Sequence, residues 1–385
     1  MPMSMSAASE RPPSHREPGE NSEVTPLELF FDLVFVFAVS RLSHHWLEHM
    51  TWRGAAETVT LLLPVLGVWS YTSWAATLIP ARRSETMWMM LSVMAFGLFM
   101  NASLTKAFTS SGWPFVIPLL AIQLGRTMWT IANGPDAMYR EHFIRVLIWF
   151  IATMPLWFAG AAADPERRLL YWGLAAAIDL LGTWLAHPVP GRRLHSRHVD
   201  FAGGHMLERC RLFLIIALGE TVLTTGTALA ATPMTVLTIL TGAAALAGIV
   251  GLWALYFGRS EPLAIQYVEA TSDPIRASRF AMNGLTPMVA GLIAVAVGGE
   301  HAIAHPHEAT SAALSASIYG GPILFLLVQA WYLRTVPRVA SRLQVIGSVA
   351  LFVLGFAALV MPAYLALMVA AVSLAILATF DRASA

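Results

Sequence analysis

Long apolar stretches separated by short polar connections make up most of the chain from residue 26 onward. Each stretch has about the 20 residues that an α-helix needs to cross the hydrocarbon core of a bilayer. The alternation of apolar and polar residues that marks the strands of a membrane barrel is absent. The pattern predicts an all-α fold, a polytopic transmembrane helical bundle with about twelve spans. The predicted spans are 27–48, 55–79, 85–108, 113–133, 140–161, 167–187, 205–230, 233–258, 278–299, 311–333, 341–360 and 362–380.

The basic residues between the predicted spans indicate an orientation. If the N-terminus is cytoplasmic, sixteen of the 24 lysines and arginines fall on the inner side and four on the outer side. This is the bias expected of a membrane protein whose N-terminus lies in the cytoplasm. We therefore predict that both termini are cytoplasmic. Residues 1–25 are polar and contain several prolines and serines, and we expect a disordered cytoplasmic tail without a signal peptide.

Weak similarities between the two halves indicate an internal duplication. Short echoes recur in the same order, at 67–69 (GVW) and 251–253 (GLW), and at 94–98 (MAFGL) and 288–292 (MVAGL). They predict a first six-helix repeat over 26–187, a cytoplasmic connector over 188–204 and a second six-helix repeat over 205–385. Many transporters place their sites between such halves.

Composition agrees with a membrane protein and excludes several other classes. The chain is 57% hydrophobic and only 12% charged, whereas soluble domains carry about 25% charged residues. The lipid bilayer is thus the expected partner, and the net charge of +1 gives no reason to expect nucleic acid. The single cysteine, Cys210, excludes an intrachain disulfide and any cysteine-based zinc site. No phosphate-binding loop or nucleophile elbow is present, so we predict neither a cofactor nor an enzyme.

Ionisable residues inside the predicted spans are the main functional candidates, because each costs about 2.5–3.5 kcal/mol on insertion scales. At about 1.5 Å of rise per helical residue, Arg126, Asp179 and Glu220 fall near the middle of the bilayer. We predict that Arg126 pairs with Asp179, with Glu220 or with both. Glu220 is the favoured proton-exchanging carboxylate, because Gly219 beside it leaves room for water or another helix.

A second group of charges falls in the cytoplasmic third of the predicted membrane. It contains Glu28, Asp32, Glu208, Arg209 and Arg211. Residues three or four apart share a helix face, and we predict that the Glu28/Asp32 pair contacts Arg209 and Arg211. Two interpretations of both groups remain open. The charges either hold helices together or form a polar path for protons, a small ion or another solute.

Histidines cluster at the predicted outer face. His45 and His49, and separately His301 and His305, have the i,i+4 spacing that lets two imidazoles share a metal. An exposed histidine-rich loop is the favoured interpretation of the second group, and we predict no metal site.

Two motifs resemble the signatures of a known family. Residues 25–38 (TPLELFFDLVFVFA) are similar to the opening signature of the bacterial low temperature requirement protein A family, and residues 213–222 (FLIIALGETV) to its central signature. Residues 252–257 (LWALYF), 287–291 (PMVAG) and 296–300 (AVGGE) also fit, and the resemblance runs from about residue 24 to about 380. The family often has a histidine just before PMVAG, where this chain reads FAMNGLT (280–286). Any role that this histidine has in the family therefore cannot be carried over to this chain.

The resemblance implies a many-spanning membrane protein of unsettled biochemistry and supplies no catalytic residue. The first functional hypothesis is therefore a secondary transporter or a proton- or ion-conducting protein built on the intramembrane charges. The alternative is a non-transporting membrane protein that supports envelope function or cold tolerance through a partner or lipid. A lipid-modifying enzyme ranks last, because no nucleophile–base pair or complete metal set is found.

Overall fold

The computed structural model describes residues 24–79, 83–134, 136–191, 203–271, 273–334 and 341–383, and these fold almost entirely as helices. Most of the predicted tail (1–23) and of the predicted connector (192–202) lies outside the described residues. The α-helices are α1 (Pro26–Glu48), α2 (Trp52–Leu78), α3 (Ser84–Ala102), α4 (Trp113–Asn133), α5 (Ala137–Ala162), α6 (Pro165–Leu185), α7 (Gly203–Ala231), α8 (Val236–Leu255), α9 (Glu261–Ala270), α10 (Pro274–Ala304), α11 (Ala312–Ser315), α12 (Gly321–Leu333), α13 (Arg342–Ala358) and α14 (Ala363–Ala383).

Each of the twelve predicted spans coincides with one of these helices or with two of them in succession. The π-helical turns Tyr256–Ser260 and Ala316–Gly320 join α8 to α9 and α11 to α12 without breaking the helical path. Within the described ranges, nine helical stretches are long and apolar enough to cross a membrane, and α1, α6 and α13 are not among them. The chain is therefore a multi-pass helical membrane protein, and the number twelve stays a prediction.

Large apolar side chains cover the outside of the bundle. Many are more than half exposed, among them Phe99, Leu170, Val236, Phe356 and Val360. A soluble protein rarely leaves so much contiguous apolar surface in water. Lipid contact explains this surface without any further partner.

Contacts near the end of α1 show in which direction neighbouring helices run and so define the two ends of the bundle. His45, near the end of α1, contacts Glu57 at the start of α2. Arg53, one turn before Glu57 in α2, donates to the carbonyl of Pro165 at the start of α6. Helices α2 and α6 therefore run side by side in the same direction. We call the end where α1 begins the N-terminal end and the end where it finishes the distal end.

The helices of the two halves have corresponding neighbours. In the first half, α1 packs on α2 and α3, α4 lies between α3 and α5, and α6 lies on α5 and α2. In the second half, α7 packs on α8 and α10, α12 lies between α10 and α13, and α14 lies on α13 and α8. Each of these six neighbour pairs of the first half has its counterpart in the second when α1–α6 are matched with α7, α8, α10, α12, α13 and α14. The halves meet where α1 contacts α7 and α10.

Glycines let α10 and α12 approach each other closely. A Cβ atom on Gly321 would lie 2.6 Å from the carbonyl oxygen of Gly291, and one on Gly291 would lie 2.7 Å from that of Gly321. Both obstacles are backbone atoms, which cannot rotate away. Such small residues are the common means of close helix packing in membranes.

We expect Gly291→Ala and Gly321→Ala each to destabilise the chain by about 1–3 kcal/mol, the usual cost of overpacking a core. Gly226→Ala in α7 is the matched control, because a Cβ atom there meets nothing within 4 Å, and alanine is the better helix former. Thermal unfolding of the detergent-solubilised chain would measure the difference. Equal unfolding temperatures for all three variants would show that α10 and α12 are not in close contact.

Candidate functional site

A buried arginine of α7 bridges two carboxylates of α1. Arg209 Nη1 lies 3.0 Å from Glu28 Oε1, and Arg209 Nη2 lies 2.6 Å from Asp32 Oδ1. The Arg209 side chain is fully buried, and its guanidinium lies 5.7 Å from the ring centre of Phe31 and 5.9 Å from that of Trp69. We call Glu28, Asp32, His205 and Arg209 the arginine cluster. It joins the two halves of the bundle.

Local sequence positions the two carboxylates. Thr25 is the N-cap of α1 and forms a capping box with Glu28, whose Oε2 accepts the Thr25 backbone N–H at 2.9 Å. Pro26 occupies the first turn, where its missing N–H costs nothing. Asp32 follows one turn later on the same face, and its Oδ1 also accepts the indole N–H of Trp69 at 2.7 Å.

The arginine cluster contains more negative than positive charge. Its two carboxylates face one guanidinium, and the remaining member, His205, lies with Nε2 3.4 Å from Glu28 Oε2 and Nδ1 3.2 Å from Thr77 Oγ1. Within the described part of the chain, Asp32 Oδ2 is buried without a hydrogen-bond partner. With both carboxylates ionised, the cluster therefore carries one more negative charge than its single guanidinium balances.

The prediction that Arg211 contacts the same carboxylates is wrong. Arg211 Nη1 lies 3.0 Å from Glu208 Oε1, and its Nε lies 2.8 Å from Glu261 Oε1 of α9. The reason is helix geometry, since residues two apart point in nearly opposite directions. Only Arg209 can face α1, and Glu208 points the same way as Arg211.

A cavity of about 460 Å³ with a mixed apolar and polar wall lies between α2, α4, α5 and α6 of the first half and the start of α10 from the second. Its wall combines aromatic rings with single polar groups from each helix. The polar and charged residues in the wall are Ser70, Tyr71, Gln123, His142, Asp179, Thr183, His187, Asp273, Arg276, Arg279, Asn283 and Thr286. Because Met138, Ala186 and Asp273 lie at helix ends, the cavity reaches the N-terminal end of the bundle.

Hydrogen bonds fix the polar groups of the cavity wall. The Tyr71 hydroxyl lies 2.8 Å from Thr183 Oγ1 and 2.9 Å from His187 Nε2. Asp179 accepts the Thr153 hydroxyl at Oδ1 (2.8 Å) and the Trp157 indole N–H at Oδ2 (3.2 Å). Within the described ranges, no arginine, lysine or histidine forms an ion pair with Asp179.

The predicted pairing of Arg126 with Asp179 or Glu220 is also wrong. The Arg126 guanidinium donates to the carbonyl of Val68 at 3.3 Å and lies 5.2 Å from the ring centre of Tyr71, behind the cavity wall. Glu220 is half-buried on α7 and forms no hydrogen bond or ion pair through its carboxylate with another described residue. Equal depth in the bilayer does not make residues neighbours, because it leaves their position around the bundle open.

The structure adds cavity residues that sequence reasoning missed, notably Tyr71, Gln123, His142, His187 and Asn283. None of them is an aspartate, glutamate, arginine or lysine, so none stood out as a charge inside a predicted span. The one available signal is that several spans carry uncharged polar residues in their N-terminal-end half. That signal does not distinguish a shared cavity from separate hydrogen bonds within each helix.

The first histidine pair is engaged in other contacts. His45 Nε2 lies 3.1 Å from Glu57 Oε2, and His49 Nδ1 lies 3.1 Å from the carbonyl of His45. Glu57 is also held by Arg53 Nε at 2.8 Å, so its charge is already balanced. His45 and His49 are therefore not arranged as joint metal ligands.

Comparison with known proteins agrees with the resemblance of the motifs. The profile of the family described as Bacterial low temperature requirement A protein (LtrA) matches residues 23–379. The chain is also 31% identical over 336 residues to the uncharacterized protein RA0937 of Rhizobium meliloti (strain 1021), covering 85% of this chain and 82% of that protein. No solved structure matches. The chain belongs to the bacterial low temperature requirement A protein family.

Proposed function

We propose that this protein is a secondary transporter that moves a small polar solute through the cavity in exchange for, or together with, a proton. The observation that carries the proposal is the cavity itself. It is lined by four helices of the first half and by the start of α10 from the second, its wall contains the half-buried carboxylate of Asp179, and it reaches one end of the bundle. Transporters built from two related halves bind their solutes near the contact between the halves, where α10 contributes to this wall. The proposal assigns no catalytic reaction to the chain.

The corresponding helix neighbours of the two halves support a six-plus-six repeat with twelve spans. In that arrangement both termini lie on one side of the membrane. Arg276 and Arg279 at the start of α10 lie at the N-terminal end, which supports a cytoplasmic N-terminal end in the inner membrane of a bacterium. The cavity then faces the cytoplasm.

The charge excess of the arginine cluster supports coupling to protons. A cluster of two carboxylates and one guanidinium gains stability when it takes up one proton, and it lies where α1 and α2 of one half meet α7 of the other. Gain or loss of that proton changes the attraction between the halves. A packed interface between two halves has discrete alternative arrangements, and a local change in charge shifts the balance between them.

Alternating access is the property that tests the proposal. The only cysteine, Cys210, is fully packed in the core, so a cysteine introduced into the cavity reacts against a low background. In Thr286→Cys, deep in the cavity, we expect a membrane-impermeant maleimide to react from the N-terminal side in a resting membrane. Under an imposed pH gradient, part of the protein should react from the distal side.

The control variant is Leu170→Cys, on the lipid-facing surface of α6, where labelling should be slow from either side. Labelling of Thr286→Cys from one side only, under every gradient, would contradict a transporter. That outcome would favour the alternative of a non-transporting protein that supports the envelope or cold tolerance.

A further inference from the structure

Two histidines and one glutamate meet at the distal end of α10, far from the cavity and the arginine cluster. One ligand atom from each of His301, His305 and Glu308 lies within 4.8 Å of the other two. We propose that these three side chains bind a divalent transition-metal ion of the Zn²⁺ class. Two imidazoles and one carboxylate form a ligand set that zinc uses, with the fourth position left to water.

The end of α10 brings the three ligands together. His301 and His305 are one turn apart, and their ring centres are 5.0 Å apart. The helix ends at Ala304, and His305 is its C-cap residue, whose backbone N–H donates to the carbonyl of His301 at 2.8 Å. The backbone N–H of Glu308 then donates to the carbonyl of His305 at 3.1 Å. This turn returns the chain over the helix end and places Glu308 Oε2 3.1 Å from His301 Nε2.

The loop that carries Glu308 is held by a neighbouring hairpin. The carbonyl of Glu308 accepts the backbone N–H of Ala363 at 2.9 Å, and the carbonyl of Pro306 accepts that of Tyr364 at 3.1 Å. Thr310 donates its N–H to the carbonyl of Met361 at 3.1 Å. The backbone of the site is therefore fixed before any ion binds, and an ion would fasten α10 more tightly to the connection between α13 and α14.

Ligand separations fit a metal after a small side-chain movement. Ligands about 2.0–2.1 Å from a tetrahedral ion lie about 3.4 Å from one another. The His301–Glu308 separation of 3.1 Å is already close to this value. His305 is exposed, so its ring can rotate to complete the set. The His301–Glu308 ion pair alone would leave His305 without a role, whereas a metal uses all three side chains.

The histidine pair at the end of α1 is the natural control. His45 and His49 have the same i,i+4 spacing and lie at the same end of the bundle. Their nearby carboxylate, Glu57, is already bound by Arg53, so the metal ion would compete with a guanidinium. The same spacing therefore predicts binding at α10 and none at α1.

Calorimetric titration of the metal-free, detergent-solubilised full chain with Zn²⁺ tests the proposal. We expect one ion per chain and no comparable binding of Mg²⁺, which prefers oxygen ligands. His305→Ala and Glu308→Gln, both at exposed positions, should each weaken Zn²⁺ binding by at least about 100-fold, because even loss of an outer ligand partner costs about 10–100-fold. His49→Ala should leave the affinity unchanged.

X-ray absorption of the zinc-loaded protein should show two imidazole ligands and oxygen. Zn²⁺ should raise the unfolding temperature of the native chain but not that of Glu308→Gln, because a ligand stabilises only the state that binds it. Equal Zn²⁺ affinity in the native chain and in His305→Ala, or a spectrum without imidazole, would overturn the proposal.

Discussion

Replacing Arg209 with methionine is expected to destabilise the folded chain by about 3–5 kcal/mol, the cost of removing one partner from a buried ion pair. The native guanidinium binds Glu28 and Asp32 at once and is fully buried. Methionine fills a similar volume but leaves two carboxylates facing each other without a counter-charge. Thermal unfolding of the purified protein in detergent would measure the loss.

Arg211→Met is the matched control for this prediction. Arg211 lies two residues along the same helix, but its side chain is 37% exposed and pairs with Glu208 of the same helix and with Glu261 of α9. Exposed ion pairs contribute about 0–1 kcal/mol each. We therefore expect Arg211→Met to lower the unfolding temperature much less than Arg209→Met does.

A charge-matched variant separates electrostatics from packing. Adding Glu28→Gln and Asp32→Asn to Arg209→Met removes the unpaired carboxylates, and we expect it to recover much of the lost stability because the three sites are directly coupled. Equal destabilisation by Arg209→Met and Arg211→Met would show that the arginine cluster does not hold the halves together. Failure of the triple variant to recover would assign the loss to packing alone.

The sequence predicted only part of the arginine cluster. Helix periodicity carries the information needed for that part. The four-residue spacing of Glu28 and Asp32 puts both on one face, and their depth matches that of Arg209. The same periodicity excludes Arg211 from that face, so the error there came from using depth alone. Nothing in the sequence indicates that Trp69 of α2 donates to Asp32, because this contact depends on how α2 is rotated against α1.

The cavity could not be predicted, for a related reason. Hydropathy and span length predict where a residue lies along the membrane normal. Each span that they predicted coincides with one helix of the structure or with two successive helices. They do not determine which helices are neighbours. Arg126 and Asp179 were predicted to lie at the same depth, yet Asp179 binds Thr153 and Trp157, and Arg126 lies against Tyr71.

Helix α2 connects the arginine cluster to the cavity. Trp69 and Tyr71 are two residues apart and therefore point to opposite sides of α2. Trp69 donates to Asp32 in the cluster, whereas Tyr71 bonds to Thr183 and His187 in the cavity wall. Further along, Thr77 contacts His205 of the cluster. Under the proposed function, a change in protonation at the cluster would move α2, and with it one wall of the cavity.

Asp179→Asn is expected to lower transport by about 10- to 100-fold while the protein stays folded. Asp179 is the carboxylate deepest in the cavity wall that has no ion-pair partner among the described residues, and a hydrogen bond to a charged group contributes about 1.5–3 kcal/mol. A loss of that size corresponds to about one to two powers of ten in affinity. Asparagine keeps the shape of the side chain and one acceptor oxygen, so the hydrogen bonds from Thr153 or Trp157 can persist. The measurement is proton movement in proteoliposomes that contain a pH-sensitive dye, under pH, Na⁺ and K⁺ gradients and with panels of small polar solutes.

Glu220→Gln is the control that decides between the two carboxylates inside the membrane. The sequence favoured Glu220 as the proton-exchanging group, but its side chain lies on α7 and is not part of the cavity wall. A path through the cavity predicts that Glu220→Gln transports at close to the native rate and that Asp179→Asn does not. The reverse result would place the path along α7, because Glu220, a half-buried carboxylate without a partner among the described residues, would then be the group that exchanges the proton. Native rates in both variants would remove Asp179 and Glu220 from the transport mechanism and leave the arginine cluster as the remaining proton site.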